Sequence, residues 1–183
     1  MRYLDILLSL TGLLSLAPLF GLIFVMLLVE SSSPIFRQTR VGKDKIEFVM
    51  FKFRSMRRGT KDLSTHLINY DAITPMGRFL RQSKLDELPQ LWNVFRGHMS
   101  FVGPRPCLPN QLELIKQRDD RGIFAVRPGI TGLAQISKVD MSDPKHLAKL
   151  DSEMLDSFSV GLYLYCIVST VLGKYIGNRF RES

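Results

Sequence analysis

Two neighbouring carboxylates, Asp86 and Glu87, are the residues of this sequence best suited to do chemistry. Ionised carboxylates can attack phosphorus as nucleophiles, and they can hold a magnesium ion that neutralises a diphosphate. Three basic residues precede the pair within a few positions: Arg78, Arg81 and Lys84. Because arginine and lysine bind phosphate oxygens, this group predicts a site for a phosphorylated ligand.

The same acidic pair also has an ordinary structural explanation. Ser83 followed three positions later by Asp86 fits a helix capping box, and acidic residues are favoured in the first turn of a helix. Residues 85–95 carry apolar side chains at helical spacing, and Gly97 is a typical helix stop. On residue types alone, both interpretations of the pair stay open.

Other basic residues stand beside glycine, proline or aromatic residues. Lys52 and Arg54 alternate with phenylalanines, whereas Arg105 lies between two prolines and Arg127 precedes Pro-Gly. Proline and glycine define the backbone around an arginine, and its fork of donors can bind phosphate through two hydrogen bonds. We therefore treat Arg105 and Arg127 as candidate phosphate ligands, with solvated surface charge as the alternative.

The N-terminal segment predicts contact with a membrane. Residues 6–29 form an uncharged apolar run that is long enough to cross a bilayer. Pro18 lies in its middle, and basic residues stand on both sides, so the positive-inside rule gives no direction of crossing. A single spanning helix is the ordinary interpretation. A re-entrant helical hairpin broken at Pro18 fits both observations better.

The rest of the chain predicts a mainly helical α+β protein with a small β-hairpin and interfacial helices. Two short strands surround a turn at Gly42, and a polar loop covers residues 57–71. Thr74 followed by Pro75 predicts a helix start, with Met76, Phe79 and Leu80 on one face. Further helices are predicted near 110–121 and 145–157, and the apolar segment 158–172 is expected on the membrane surface or in the core.

Size, charge and cysteine content limit the function further. A chain of 183 residues suits one domain, so we predict a membrane hairpin at 1–30 that is continuous with a cytoplasm-facing catalytic domain at 31–183. The formal net charge of +8 favours anionic partners. Cys107 and Cys166 lie far apart and form no zinc-binding or disulfide pattern.

Four sequence blocks make the chain resemble the bacterial sugar transferase family, also called monotopic phosphoglycosyl transferases. They stand in the family's order and near its spacings: Lys52-Phe-Arg-Ser-Met56, Leu85-Asp-Glu-Leu-Pro-Gln-Leu-Trp-Asn-Val94, Met99-Ser-Phe-Val-Gly-Pro-Arg-Pro106 and Arg127-Pro-Gly-Ile-Thr-Gly-Leu-Ala-Gln135. The resemblance covers nearly the whole chain, including the apolar start with its central proline.

The resemblance implies a reaction and the roles of particular residues. Asp86 would attack the β-phosphate of a UDP-sugar and release UMP, and undecaprenyl phosphate would then take the phosphosugar from the aspartate. Magnesium is expected on Asp86, with Glu87 as a second ligand or as a base. Lys52, Arg81 and Arg105 match basic positions of the family's active site.

We add Arg54, Arg78 and Arg127 as candidate substrate-binding residues. The expected location is the bacterial inner membrane, with the active site facing the cytoplasm, at the first membrane step of glycoconjugate assembly. That step could serve O-antigen, capsule, exopolysaccharide or glycoprotein. Membrane lipid is an expected partner, a second copy of the chain is a further candidate, and no nucleic acid is expected.

The chain departs from the family pattern in two places. After Gln135 the family continues with Asn-Gly-Arg, whereas this chain has Ser137-Lys-Val139, so Lys138 is the candidate substitute for the missing arginine. Tyr163 stands where the family pattern has an aspartate, while Asp151 keeps an aspartate of that pattern. These differences concern the identity of the sugar more than the class of reaction.

Three other functions are compatible with parts of the sequence. The positive charge would suit a membrane-anchored protein that binds nucleic acid or anionic lipid, but this leaves the acidic pair unexplained. A scaffold without catalysis would tolerate replacement of Asp86. A magnesium-dependent diphosphate hydrolase is the nearest enzymatic rival, and it would release free sugar phosphate without a lipid acceptor.

Overall fold

A computed structural model describes residues 1–31, 33–57, 59 and 72–173 of the chain. Most of the loop predicted at 57–71 therefore lies outside the described residues. The mainly helical α+β class is confirmed. In chain order the helices and strands are α1 (Arg2–Ser15), α2 (Ala17–Ser31), β1 (Ile35–Val41), β2 (Glu47–Phe53), α3 (Pro75–Gln82), α4 (Gln90–Arg96), β3 (Ser100–Val102), α5 (Leu112–Asp119), β4 (Gly129–Thr131), α6 (Leu133–Ile136), α7 (Pro144–Asp156) and α8 (Val160–Val171).

The described chain divides into two compact units. The first unit comprises Arg2–Thr39 and Val49–Gly97, and the second comprises Met1, Arg40–Phe48 and the residues from His98 onward. Strands β1 and β2 form the predicted hairpin, whose residues are divided between the units. The predicted boundary between residues 30 and 31 stays a prediction.

Helices α1 and α2 of the first unit meet at a sharp bend of 61° at Leu16. Pro18, the second residue of α2, has no N–H to donate to the carbonyl of Leu14, and its ring crowds that carbonyl. Within the described residues, no single helix has the length and apolar character needed to cross a bilayer, although α1 and α2 together do.

The first unit has a small apolar core between α2, the end of β2 and α3. Ile23, Leu27, Phe53 and Leu80 are buried there. Thr74 caps α3 as predicted, because its Oγ1 accepts a hydrogen bond from the Gly77 backbone N–H.

The three residues predicted to share one face of α3 differ in burial, since Leu80 is buried and Met76 packs against the core, whereas Phe79 is 55% exposed. Gly77 and Leu80 lie at the centre of the buried face, and Phe79 is displaced around the helix by roughly 100° from Leu80. Gly77 is required at its position, because a Cβ there would collide with the backbone of Ser55.

The second unit contains a parallel strand pair that the sequence patterns did not predict. Strands β3 and β4 pair Ser100 with Gly129 and Val102 with Thr131. Gly103 and Gly129 approach so closely that a Cβ on either would collide with the other segment's backbone. The third and fourth sequence blocks therefore lie side by side.

Helices α5, α7 and α8 complete the core of the second unit. The predicted helices near 110–121 and 145–157 are confirmed as α5 and α7. One face of α8 is buried through Tyr163 and Cys166, while the apolar side chains of Leu164 and Val168 on its other face are about half exposed. Helix α8 therefore belongs to the core and also presents an apolar surface.

Candidate active site

The acidic pair occupies a single 3-10 turn, Leu85–Glu87, between α3 and α4. The prediction of one continuous helix from residue 85 is wrong. Pro89 cannot donate an N–H to the Leu85 carbonyl, and this carbonyl instead accepts the shorter-range bond from the Leu88 N–H at 3.2 Å. Helix α4 starts only at Gln90 and ends, as predicted, before Gly97 in the left-handed conformation.

The capping box proposed as the ordinary explanation of Asp86 does not form. The hydroxyl of Ser83 donates to the Phe79 carbonyl at 2.8 Å, so it belongs to the last turn of α3. Lys84, which directly precedes the acidic turn, has left-handed backbone angles and provides no side-chain cap. The capping box therefore does not account for the acidic pair, although both acids do lie in the first turn of the 3-10 segment.

Glu87 forms an ion pair with Lys52 of strand β2. Their charged atoms, Lys52 Nζ and Glu87 Oε1, lie 2.8 Å apart, and the side chains are only 16% and 18% exposed. In such partly buried surroundings a charge pair is screened less by water and salt than it would be on the surface. The pair therefore fixes the acidic turn against the end of β2.

Asp86 lies beside this ion pair in the sequence and is 8% exposed. Among the described residues there is no group of three or more histidines, cysteines or acids that could form a metal site. Magnesium commonly binds through one or two carboxylates together with substrate phosphates. The carboxylates of Asp86 and Glu87 fit that mode, although Glu87 already has Lys52 as a partner.

Arg81 is positioned by α3 and by a hydrogen bond from its Nε to the Ser55 hydroxyl at 2.7 Å. Its two Nη atoms have no partner among the described residues. Arg78, one turn earlier on α3, is exposed. These predicted substrate-binding residues thus share a helix that leads directly into the acidic turn.

Arg54 has a structural task that sequence patterns did not indicate. Its Nε donates to the Ser33 carbonyl at 2.7 Å, and its guanidinium lies over the ring of Phe36. These contacts hold the segment that follows α2 against the end of β2. A role of Arg54 in substrate binding stays a prediction.

The remaining predicted basic ligands belong to the second unit. Arg105 and Arg127 are partly buried; Arg105 lies in the loop after β3, and Arg127 lies two residues before β4. Lys138 is exposed, with a left-handed backbone after α6. Backbone bonds join the two loops, because Gly129 N–H donates to the Pro104 carbonyl at 2.9 Å.

Two buried arginines that sequence reasoning missed hold the loop that carries Arg105. Arg118 donates to the Arg105 carbonyl at 2.7 Å, and Arg40 donates to the Pro106 carbonyl at 3.0 Å. Arg118 also forms a buried ion pair with Asp151, with a shortest distance of 2.6 Å. Burial raises the pKa of the Asp151 carboxyl, and Arg118 opposes this shift.

The sequence contained a signal for Arg118. It lies four residues after Leu114, and the two therefore share the buried face of α5. Asp151, which was expected to be structural or supporting, was the only member of this pair that sequence reasoning singled out. When the other residues on one face of a helix are buried, a charged residue on that face is expected to be buried too, with a partner of opposite charge.

Asn93 is a third residue that sequence reasoning missed. It lies on α4 and is fully buried. Both the oxygen and the nitrogen of its side-chain amide form hydrogen bonds with the backbone of β2. Its Oδ1 accepts from the Phe51 N–H at 3.0 Å, and its Nδ2 donates to the Val49 carbonyl at 2.7 Å. Helix α4 is therefore attached to the strand that carries Lys52.

Comparison with known proteins identifies the family of the chain. The profile described as "Bacterial sugar transferase" matches residues 1–176, which is nearly the entire chain. The chain belongs to the bacterial sugar transferase family.

Individual relatives of this bacterial sugar transferase extend the finding. It is 38% identical to the exopolysaccharide production protein PSS of Rhizobium leguminosarum bv. phaseoli, over 94% of each chain. It is 39% identical to the UDP-glucose:undecaprenyl-phosphate glucose-1-phosphate transferase of Xanthomonas campestris pv. campestris, over 93% of this chain and 38% of that protein.

An N-acetylgalactosaminephosphotransferase of Aeromonas hydrophila, also named for undecaprenyl phosphate, is 32% identical over 93% of this chain and 42% of its own length. The chain thus spans nearly all of the Rhizobium protein but well under half of the other two.

Proposed function

We propose that this protein transfers a sugar 1-phosphate from a UDP-sugar to undecaprenyl phosphate, with Asp86 as the nucleophile. The observation that carries this proposal is the acidic turn: Asp86 is buried, is not explained by helix capping, and adjoins the Lys52–Glu87 ion pair. Family membership supports the reaction class, because relatives are named for transfer from UDP-sugars to undecaprenyl phosphate.

The proposed reaction has two displacements at the same phosphorus atom. A carboxylate oxygen of Asp86 attacks the β-phosphorus of the UDP-sugar, the bond from that phosphorus to the bridging oxygen breaks, and UMP leaves. An oxygen of the lipid phosphate then attacks the same phosphorus, and the bond to Asp86 breaks. Two successive transfers restore the free carboxylate.

The cations of the first unit have defined tasks in this proposal. The Nη atoms of Arg81 bind phosphate oxygens while Ser55 holds its Nε. Lys52 compensates the charge of Glu87, and it thereby keeps two adjacent carboxylates from repelling the donor's diphosphate. Magnesium, held by Asp86 and Glu87, would neutralise part of the diphosphate charge when bound.

We further propose that α1 and α2 enter and leave the membrane on the same side. Arg2 at the start of α1 donates to the carbonyls of Val94 and Phe95 in α4. At the end of α2, Glu30 accepts a hydrogen bond from Thr74 at 3.1 Å. Both ends of the bent pair are thus attached to the same unit, which favours a re-entrant hairpin over a spanning helix.

The lengths and surfaces of the two helices support the same topology. With 14 and 15 residues, α1 and α2 are each about 21–23 Å long, which is less than the roughly 30 Å of a hydrocarbon core. Leu7, Leu14 and Val25 are all more than half exposed, as expected for side chains that face lipid. The proposed location is the inner membrane, with the acidic turn on the cytoplasmic side.

Release of UMP tests the proposed function. The purified protein, in detergent with magnesium and undecaprenyl phosphate, should release UMP from at least one member of a panel of UDP-sugars and form a lipid-linked sugar diphosphate. UMP release that is independent of lipid and yields free sugar phosphate would instead establish a hydrolase. Inactivity of the folded protein across the panel would contradict the proposal.

A further inference from the structure

Helix α1 buries a polar stripe and exposes its apolar side chains. Arg2, Asp5, Ser9 and Gly12 are separated by three or four positions, so they share one face of the helix. Asp5 is 2% exposed and Ser9 is fully buried. This is the reverse of a helix in a soluble core, and two members of the stripe, Arg2 and Gly12, lie against α4.

Arg2 binds the C-terminal end of α4. Its Nη1 lies 2.6 Å from the Val94 carbonyl oxygen, and its Nη2 lies 2.7 Å from that of Phe95. The last carbonyls of a helix have no partner within the helix, and they carry the negative end of its dipole. The guanidinium of Arg2 binds both carbonyls with two parallel donors, and the Val94 carbonyl also accepts a hydrogen bond from the Gly97 N–H at 3.0 Å.

The fit between the two helices continues along α1. A Cβ added at Gly12 would lie 3.1 Å from Cδ1 of Leu91 in the first turn of α4. A Cβ added at Gly97 would lie 3.1 Å from Nη2 of Arg2. Helix α1 thus contacts α4 near both of its ends, with small residues at the closest approaches.

Helix α4 connects this contact to the acidic turn. It begins three residues after Glu87, and its Asn93 is attached to the backbone of β2. Lys52, which pairs with Glu87, lies on that strand directly after Phe51. The placement of α4 therefore determines how the acidic turn meets Lys52.

We propose that Arg2 is a positioning residue for phosphoryl transfer, because it holds α4 and thereby the turn with Asp86 and Glu87. This inference rests on the proposed function. It gives the N-terminal helix a task beyond membrane attachment: its polar stripe supports the reaction centre. Loss of Arg2 should slow turnover more than it weakens donor binding, since Arg2 acts through α4 and not on the substrate.

The test compares Arg2→Met with Arg96→Gln in the 183-residue protein in detergent. Arg96 also lies at the end of α4 and is exposed, so its replacement removes the same charge without breaking the bonds of Arg2. Loss of two charge-assisted hydrogen bonds should speed hydrogen exchange of α4 amides by about tenfold and lower kcat by about tenfold. KM for the UDP-sugar should change less than about twofold, and Arg96→Gln should resemble wild type in both measurements.

A second pair of variants covers the case that Arg2→Met does not fold. Gly12→Leu places a side chain against Leu91, whereas Gly21→Leu adds the same side chain at a position of α2 where an added Cβ would meet no atom of another segment within 4 Å. Of these two variants, only Gly12→Leu should lower kcat and reduce the protection of α4 amides from hydrogen exchange.

The proposal would be overturned if Arg2→Met or Gly12→Leu had the same kcat and the same hydrogen-exchange protection of α4 as wild type. A variant that changed only KM for the UDP-sugar would overturn it as well. If wild type has no transferase activity but Arg2→Met still loosens α4, the proposed function fails and the structural link stands.

Discussion

Lys52 Nζ and Glu87 Oε1 lie 2.8 Å apart and join strand β2 to the turn that carries Asp86. The chain contains a second lysine–acid pair of nearly equal length, in which Lys45 Nζ lies 2.9 Å from Asp119 Oδ2. The side chains of this second pair are about half exposed, whereas those of the first are less than one-fifth exposed. The two ion pairs therefore have nearly the same distance between charged atoms and differ in how far their side chains are buried.

Replacement of Lys52 should therefore affect both stability and activity. Lys52→Met leaves the Glu87 carboxylate partly buried without its partner, which should lower the free energy of unfolding by about 1–3 kcal/mol. We expect kcat for UMP release to fall by at least about tenfold. Lys45→Met is the control, since an exposed pair contributes about 0–1 kcal/mol. Equal effects of the two substitutions would contradict this account of the acidic turn.

Removal of the buried ion pair in the second unit should destabilise the protein strongly. Asp151→Ala leaves the guanidinium of Arg118 buried without a counter-charge, which is expected to cost about 3–5 kcal/mol. Denaturant unfolding measures the loss. The control is Glu153→Ala, two residues after Asp151 on α7, which breaks the exposed ion pair between Glu153 and Lys149. It should change the free energy of unfolding by less than about 1 kcal/mol. A small effect of Asp151→Ala would show that Arg118 finds another partner.

Both native thiols should resist alkylation in the folded protein. Cys107 and Cys166 are buried, and burial raises the pKa of both, to about 11 for Cys166. Because the thiolate is the reactive form, N-ethylmaleimide at neutral pH should modify neither cysteine until the protein is denatured. Mass spectrometry reads the outcome directly, and stoichiometric modification of the folded protein would contradict the burial.

The shifted pKa of Cys166 also has a consequence for stability at high pH. The folded state keeps the thiol proton above the ordinary pKa of 9.0, whereas the unfolded state loses it. The contribution of this group to the free energy of unfolding should therefore decline as the pH rises from 9.0 through about 11. Cys166→Ala should remove that part of the pH dependence, and an unchanged profile would exclude Cys166 as its source.

Unreactive native cysteines allow the re-entrant topology to be tested with single introduced ones. Tyr3 is 90% exposed at the start of α1, and Ser33 follows α2. In sealed inverted membrane vesicles, a membrane-impermeant maleimide should label Tyr3→Cys and Ser33→Cys from the same, cytoplasmic side. Labelling from opposite sides would establish a spanning segment and contradict the hairpin.

The sequence predicted those parts of the fold that have strong local signals. The β-hairpin, the Thr74 cap of α3 and the end of α4 at Gly97 follow from residue types within a few positions of one another. Strands β3 and β4 escaped prediction because three residues are too few to show a period of two. Their pairing depends on glycines 26 positions apart, Gly103 and Gly129, which approach only in the folded chain.

The candidate site was likewise predictable only where its signals lie close together in the sequence. Adjacent acids and nearby cations indicated phosphoryl chemistry, and the bonds of Ser83 then removed the capping explanation. The supporting roles of Arg2 and Asn93 were not readable from the sequence, because each depends on partners from distant segments. The spacing of Arg118 indicated its burial but not its partners, Asp151 and the Arg105 carbonyl. Arg2 in particular had the pattern of an ordinary basic residue flanking a membrane helix.

A single-turnover reaction tests most directly whether Asp86 is the nucleophile. The protein is mixed with a UDP-sugar labelled in its β-phosphate, with magnesium and without undecaprenyl phosphate, then denatured and digested. We predict that labelled phosphosugar stays on the peptide containing Asp86, is discharged by added lipid phosphate, and is absent from Asp86→Asn, whose turnover falls to below about one-thousandth. Full turnover by a folded Asp86→Asn variant, or label on another residue, would contradict the proposed mechanism.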